Sequence, residues 1–328
     1  MKVVVTGGAG FIGSHLTEAL LRRGDSVTVL DDCSTGALSN IELLQEHPNF
    51  RFVQGTVLDA ALVDELTGGT DAIYHLAAAV GVRWVIENPL QSIKTNVRGT
   101  EIVLDAADRH QCRVLIASTS EAYGKNDGGP LSEDDDRVLG STRVTRWLYA
   151  ATKSLDECFA FAYWQEKKLP VVIVRFFNTI GPRQTGRYGM VVPRFVDQAL
   201  RNDPLTVYGD GQQTRCFTDV RDSVRAIVSL MDTDAALGNV FNVGQPREIT
   251  MDGLARMIRD LCQSTSEIAL VPYEEAFKSG GFEDMRRRVP NVEALERVTG
   301  FKPSIPLEET LRHIVSEHRQ HLTVGQPV

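Results

Sequence analysis

Apolar and polar positions follow two rhythms along the first half of the chain. Short apolar runs lie at residues 2–6, 26–30, 51–54, 72–76, 113–118 and 171–175, with the length and β-branched content of buried strands. Between them, at about 12–23, 59–66, 89–110 and 148–167, apolar residues recur every three or four positions, as in helices with one buried face. In the stretch 89–110, Ile93, Val97 and Leu104 form a stripe with Val103 and Ala107 alongside. That face suits the sheet or a partner subunit. Strands alternating with helices predict an α/β fold, a Rossmann doubly wound parallel sheet.

After Arg175 the rhythm breaks. Gly181-Pro182 and the glycines at 186 and 189 mark irregular chain. A helix at about 191–201, a strand at 205–208 and the turn Gly209-Asp210-Gly211 follow, then a helix at about 219–231 and a strand at 240–243. The remainder, to about 320, reads as helical and irregular, and 322–328 as a frayed tail. The pattern predicts a cofactor-binding domain of residues 1–175 plus about 213–243. A smaller, discontinuous substrate-binding domain takes about 176–212 plus 244–320.

Composition adds mainly exclusions. The 328 residues are 42% hydrophobic and 24% charged, ordinary for a soluble globular protein. A net charge of −8 invites neither nucleic acid nor an anionic membrane. Cys33, Cys112, Cys158, Cys216 and Cys262 form no C-x-x-C pair, which predicts free thiols in a reducing compartment and no metal site. No apolar run approaches the roughly 18 residues of a membrane span, and the first strand begins at the N-terminus. The expected location is the cytoplasm.

Candidate chemistry begins at Thr6-Gly7-Gly8-Ala9-Gly10-Phe11-Ile12-Gly13, between a strand and a helix. Gly7 allows the tight turn, Gly10 lets a pyrophosphate approach the backbone, and Gly13 lets helix and strand pack closely. The helix N-terminus, with Phe11 and Ile12, offers N–H groups to phosphate oxygens. Asp31, followed by Asp32, ends the second strand. A carboxylate there accepts from ribose hydroxyls and repels a 2′-phosphate, so the predicted cofactor is NAD rather than NADP.

Tyr149 and Lys153 stand at i and i+4 on one predicted helix. A nearby ammonium stabilises a phenolate, which would lower the pKa of Tyr149 and fit it for proton transfer. Ala117-Ser118-Thr119-Ser120-Glu121 follows the strand at 113–118, where ligands of open α/β sheets bind. Its hydroxyls can hold a substrate oxygen, and Glu121 can act as general acid or base.

Together with His75-Leu76-Ala77-Ala78, these motifs resemble the extended short-chain dehydrogenase/reductase family, the NAD-dependent nucleotide-sugar epimerases, dehydratases and decarboxylases. The resemblance covers nearly the whole chain. It implies a triad of Thr119, Tyr149 and Lys153 and cofactor contacts from Leu76, Ala77 and Ala78. Ser118-Thr119-Ser120-Glu121-x-Tyr123-Gly124 is similar to the UDP-glucuronic acid decarboxylases. So are Arg146-Trp147-x-Tyr149, Arg215 to Asp222, and Arg286-Arg287-Arg288-Val289-Pro290. These imply roles for Glu121, Ser120, Arg146 and Arg288. The implied reaction oxidises sugar carbon 4 and decarboxylates to UDP-xylose or UDP-4-keto-pentose. Asn178, Arg183, Val192, Tyr208 and Arg215 are implied substrate contacts, with Arg187 and Arg221 as further arginines. The family often carries Gly-Asp after the third strand; here Gly55-Thr56 stands there, with Asp59 further on. A UDP-sugar 4-epimerase shares the triad and is the alternative reading. A redox-sensing module on the same fold would typically lack the Tyr-Lys pair. The family also implies a homodimer through helices near 89–110 and 148–167.

Overall fold

The computed structural model describes residues 1–126, 128–186, 189–276 and 285–324. In the first half the elements are β1 (Lys2–Thr6), α1 (Phe11–Arg23), β2 (Ser26–Asp31), β3 (Phe50–Gln54), α2 (Ala60–Thr67), β4 (Ala72–His75), α3 (Val82–Glu87), α4 (Pro89–Ile93), α5 (Gly99–His110), β5 (Arg113–Thr119), α6 (Leu148–Ala162) and β6 (Val171–Phe176). Then come β7 (Thr179–Ile180), α7 (Val191–Arg201), β8 (Leu205–Tyr208), β9 (Thr214–Cys216), β10 (Thr218–Asp219), α8 (Val220–Met231), β11 (Asn239–Val243), β12 (Glu248–Thr250), α9 (Met251–Cys262), β13 (Ile268–Val271), α10 (Tyr273–Ala276), α11 (Glu293–Thr299) and α12 (Leu307–Val324).

The central sheet has seven parallel strands in the order β3-β2-β1-β4-β5-β6-β11. Successive side chains of a strand point to opposite faces, and the packing follows. Val3 and Val5 join Leu16 and Leu20 of α1 and Ile227 of α8 on one face. Val4 joins Val63 of α2 and Val103 and Ala107 of α5 on the other. Both faces are covered, which is why the strands read as continuous apolar runs. The order in which strands are added reverses between β1 and β4, and the crevice at their carboxyl ends is the expected ligand position of such a sheet.

A separate cluster gathers Val192, Phe195, Leu254, Ile258, Leu311 and Ile314 from α7, α9 and α12. On this packing we propose the two-domain division given above, with one refinement. Leu295 of α11 and Phe301 pack on the core of the large domain.

Several local expectations are corrected. The helix at 89–110 is not continuous: α4 and α5 are joined by a π-helical turn, Lys94–Arg98, which turns Asn96 inward. Its apolar stripe divides accordingly, Val103, Leu104 and Ala107 facing the core and Ile93 facing solvent. Residues 163–167 continue α6 as another π-helical turn. The stretch after 244 holds two strands, β12, which has a single apolar residue, and β13, the four-residue apolar run Ile268–Val271. Residues 322–324 belong to α12 rather than to a frayed tail; 325–328 lie outside the described residues. Among the described residues, no helix is long and apolar enough to cross a membrane.

Candidate active site

The carboxyl ends of β1, β2, β4 and β5 open into a cleft of about 1000 Å³ that runs from Asp31 and Gly55 to Tyr149 and Arg288. At its cofactor end Gly7 has φ +73°, and a Cβ there would stand 2.7 Å from the Ala77 nitrogen. A Cβ on Gly13 would stand 2.1 Å from the Gly7 oxygen. Gly10, by contrast, meets only the Gly7 oxygen within 4 Å, at 3.1 Å, so its outer side is open to a ligand. Gly10 also begins α1 without a side-chain cap and with no acidic residue in the first turn. The first amides, at Phe11 and Ile12, border the cleft and are left for an anion.

Asp31 is 8% exposed. Its Oδ2 accepts from Ala9 N at 2.9 Å and its Oδ1 from Cys33 N at 2.8 Å, so the carboxylate also fastens the glycine turn to β2. Burial raises its pKa against these amide bonds. Asp32 accepts from Ser34 N at 2.9 Å. Leu76, Ala77 and Ala78 border the same cleft, as do Gly55 and Thr56. Asp59 instead caps α2, accepting from Leu62 N. These residues fit a dinucleotide: a phosphate-sized opening over bare amides, with a carboxylate at the end of β2.

Behind the glycine turn, Thr6 Oγ1 bonds His75 Nδ1 at 2.8 Å, and His75 Nε2 bonds Thr100 Oγ1 at 3.1 Å. Burial, and then the charge of Lys153, push the His75 pKa down to about 3, so the ring is neutral. Asn96, fully buried, accepts from Ala79 N at 2.8 Å and donates to Thr152 Oγ1 at 3.2 Å. It thereby joins the loop after β4 to α6. Sequence reasoning missed Asn96; its only signal is an amide side chain on the inward face of a helix.

α6 carries Tyr149 and Lys153 into the cleft opposite Thr119 at the end of β5, and a hydrogen bond joins the Tyr149 and Thr119 side chains. Lys153 is 1% exposed, and its Nζ donates to Asp156 Oδ2 at 2.9 Å. The expected lowering of the Tyr149 pKa is not found. Burial raises it, and Glu121 and Asp156 raise it further; the lysine charge is matched by Asp156. Asp156 was also missed, although a charged residue on an inward stripe is a visible signal.

Glu121 lies between two arginines. Its Oε1 accepts from Arg288 Nη1 at 2.7 Å, and its Oε2 pairs with Arg146 Nη1. Burial opposes the charge of Glu121, but Arg288 and Arg146 outweigh it and hold the carboxyl well below the usual range. Arg146 and Arg288 are 6% and 3% exposed. Arg288 Nη1 also donates to Ser120 Oγ at 3.3 Å, and burial lowers the Arg288 pKa, with Arg215 and Arg146 adding to the effect.

The remaining sequence candidates divide. Asn178, at φ +28°, borders the cleft and donates to Cys216 O at 2.9 Å. Arg183 borders it too, but its guanidinium reaches Ser14 Oγ and Glu18 Oε2, while its backbone N–H donates to Glu317. Arg221 pairs with Asp219 and Glu309. Val192 is buried in the small core. Tyr208 lies 4.1 Å under the guanidinium of Arg194, and Arg215 Nη1 donates to Thr214 O; none of these three borders the cleft. Arg187 lies outside the described residues. Among the described residues no cluster of His, Cys, Asp and Glu could hold a metal ion.

Known proteins share both sequence and fold. Residues 3–244 match the family model described as NAD dependent epimerase/dehydratase. The UDP-N-acetyl-alpha-D-glucosaminuronate decarboxylase of Bacillus cytotoxicus is 41% identical, over 97% of this chain and 98% of its own. The UDP-glucuronic acid decarboxylase 1 of Xenopus tropicalis is 36% identical, over 98% of this chain and 73% of its own. The UDP-glucuronic acid 4-epimerase of Bacillus cereus, solved with UDP-glucuronic acid and NAD, superposes with a TM-score of 0.88 at 28% identity, over 98% of this chain and 99% of its own. Glycine turn, Tyr-x-x-x-Lys helix, sheet order and these matches agree: the chain belongs to the NAD dependent epimerase/dehydratase family.

Proposed function

We propose that this chain is an NAD-dependent nucleotide-sugar decarboxylase that oxidises carbon 4 of UDP-glucuronate and releases its carboxyl group as carbon dioxide. The observation that carries this reading is Glu121 held between Arg146 and Arg288 beside Thr119 and Tyr149. Two buried guanidiniums face this one carboxylate in a sheltered cleft, and such a place favours a second carboxylate. The uronate decarboxylases at 36–41% identity support the same substrate class.

NAD, when bound, supplies the acceptor for the hydride of carbon 4. Tyr149, in its phenolate form, takes the proton of the 4-hydroxyl while the Thr119 hydroxyl holds that oxygen. The carboxylate at carbon 5 is then β to a ketone, and when its bond breaks the electron pair flows into the ketone as an enolate. Arg146 and Arg288 orient the carboxylate, and their fixed charge stabilises the developing enolate. Glu121 and Arg288 serve the reprotonation of carbon 5. Release at this point gives UDP-4-keto-pentose; UDP-xylose would form if the hydride returned to carbon 4 and Tyr149 returned the proton to its oxygen.

Incubation with UDP-glucuronate and NAD, followed by mass and sugar stereochemistry of the products, tests the reading. Release of carbon dioxide is expected; intact recovery of UDP-glucuronate, or its conversion to UDP-galacturonate, overturns it. The 41% identity to a decarboxylase of the 2-acetamido uronate makes that sugar nucleotide the parallel substrate to run. The alternative, a 4-epimerase, is supported by the superposition on the Bacillus cereus enzyme. Glu121→Gln separates the two, since an epimerase tolerates it far better.

We also propose a cytoplasmic homodimer. Five free cysteines suit a reducing compartment. Leu90 and Ile93 on α4 and Leu155 on α6 are 64%, 39% and 44% exposed, an apolar face a second copy would cover. Light scattering should give twice the chain mass, and Leu90→Asp combined with Leu155→Asp should halve it. A wild-type monomer at working concentration overturns the dimer.

A further inference from the structure

We propose that Asp156 is a positioning residue for the proton-transfer tyrosine: it holds the Lys153 ammonium and cancels its charge, so Tyr149 keeps its proton more firmly than a Tyr-x-x-x-Lys pair alone would allow. Residues 149, 153 and 156 follow the i, i+4, i+7 spacing of one face of α6. Lys153 is 1% exposed and Asp156 fully buried. Their contact at 2.9 Å is the hydrogen bond made by the ammonium among the described residues. With little water between them the pair binds strongly, and an opposed pair of charges presents Tyr149 with a dipole in place of a bare cation.

The groups facing this pair do not undo it. His75, from β4, is neutral and bonded at both ring nitrogens. Burial raises the Asp156 pKa, and the charge and hydrogen bond of Lys153, followed by the hydroxyl of Thr100 from α5, act against it in favour of the carboxylate. Glu157, the next residue of α6, is occupied by Arg175 and Ser118. On the far side of Tyr149, Glu121 is held by Arg146 and Arg288. Burial and the charges of Glu121 and Asp156 hold the Tyr149 phenol above its ordinary range, the direction this arrangement requires. A Tyr-x-x-x-Lys helix whose lysine lacks such a partner would set its tyrosine lower.

The inference rests on Tyr149 as the proton-transfer group, and two readouts keep the ideas apart. The first is kcat/KM against pH for the full chain with NAD and UDP-glucuronate, wild type against Asp156→Asn. Removing the carboxylate should move the acidic limb down by about one pH unit, roughly a tenfold higher relative rate on the acid side. The second needs no turnover: tyrosinate absorbance is followed from neutral to alkaline pH, each protein being compared with its Tyr149→Phe counterpart. The Tyr149 midpoint should fall in Asp156→Asn. A midpoint that stays or rises overturns the proposal. A midpoint that falls without any movement of the rate profile leaves Asp156 as assigned and removes Tyr149 from the rate. Asp156→Ser, smaller and also neutral, carries the same test if the Asn protein does not fold.

Discussion

Arg288 shows what one residue type contributes. A single nitrogen, Nη1, reaches both Ser120 Oγ and Glu121 Oε1, while Nη2 lies against Met285 Sδ and Nε has no hydrogen-bond partner among the described residues. Lysine would keep the charge but lose the planar fork that spans these groups. Arg288→Lys should therefore lower kcat about 100-fold while UDP-sugar binding changes much less, which steady-state kinetics and calorimetry can separate. Glu121 and Arg288 were legible together only through resemblance, because 167 positions separate them in the chain. The same limit applies to Arg183, which the resemblance implies as a substrate contact but whose guanidinium goes to Ser14 and Glu18. Lys153 and Asp156 are close enough in sequence for their contact to be anticipated. What sequence could not supply is that both are buried, and burial is what makes the pairing decisive for Tyr149.

At the scale of elements, the unit β1, glycine turn, α1 was legible almost to the residue. Buried parallel strands must be apolar throughout, and a chain crossing this close to itself must be glycine at fixed points. Gly13→Ala places a methyl group 2.1 Å from the Gly7 oxygen, against backbone that cannot step aside. The purified variant should have lost most of its NAD, read as cofactor released on denaturation per mole of chain; NAD content equal to wild type would refute the role given to this turn. The π-helical turn at Lys94–Arg98 was not legible. It follows from Asn96, whose amide satisfies Ala79 N and Thr152 at once, and one buried amide leaves no period in the sequence. The short strand β12 has one apolar residue and left no run to read; β13 is an apolar run of only four residues, too short for period to tell strand from helix.

For the whole molecule, the outstanding titration is that of His318 in α12. It is 1% exposed, and among the described residues neither ring nitrogen has a hydrogen-bond partner. Burial, partly offset by Asp197, and the neighbouring His321 bring its pKa down to about 4. An unfolded histidine titrates near 6.5, so the unfolded chain binds the proton first. Stability is full above pH 6.5 and is lost as pH falls from there toward 4, by up to about 3 kcal/mol from this residue. His75, lowered to about 3, acts in the same direction. Thermal melts from pH 7.5 to 4.5 should show His318→Leu losing Tm less steeply than wild type; parallel curves would refute this account.

The strap at Arg183 carries a consequence for how the holoprotein comes into being. Arg183 ties Ser14 and Glu18 of α1 to Glu317 of α12, and Glu317 lies 134 positions further along the chain. During synthesis the glycine turn emerges long before α12, yet the brace that fixes the outer side of α1 waits for α12 to emerge and dock. Domains fold as units during translation, N-terminal parts first, but here the early part is completed by a late one. Nascent chains stalled before α12 should carry a formed sheet and hold NAD only loosely, so firm capture of the cofactor waits for α12 to dock.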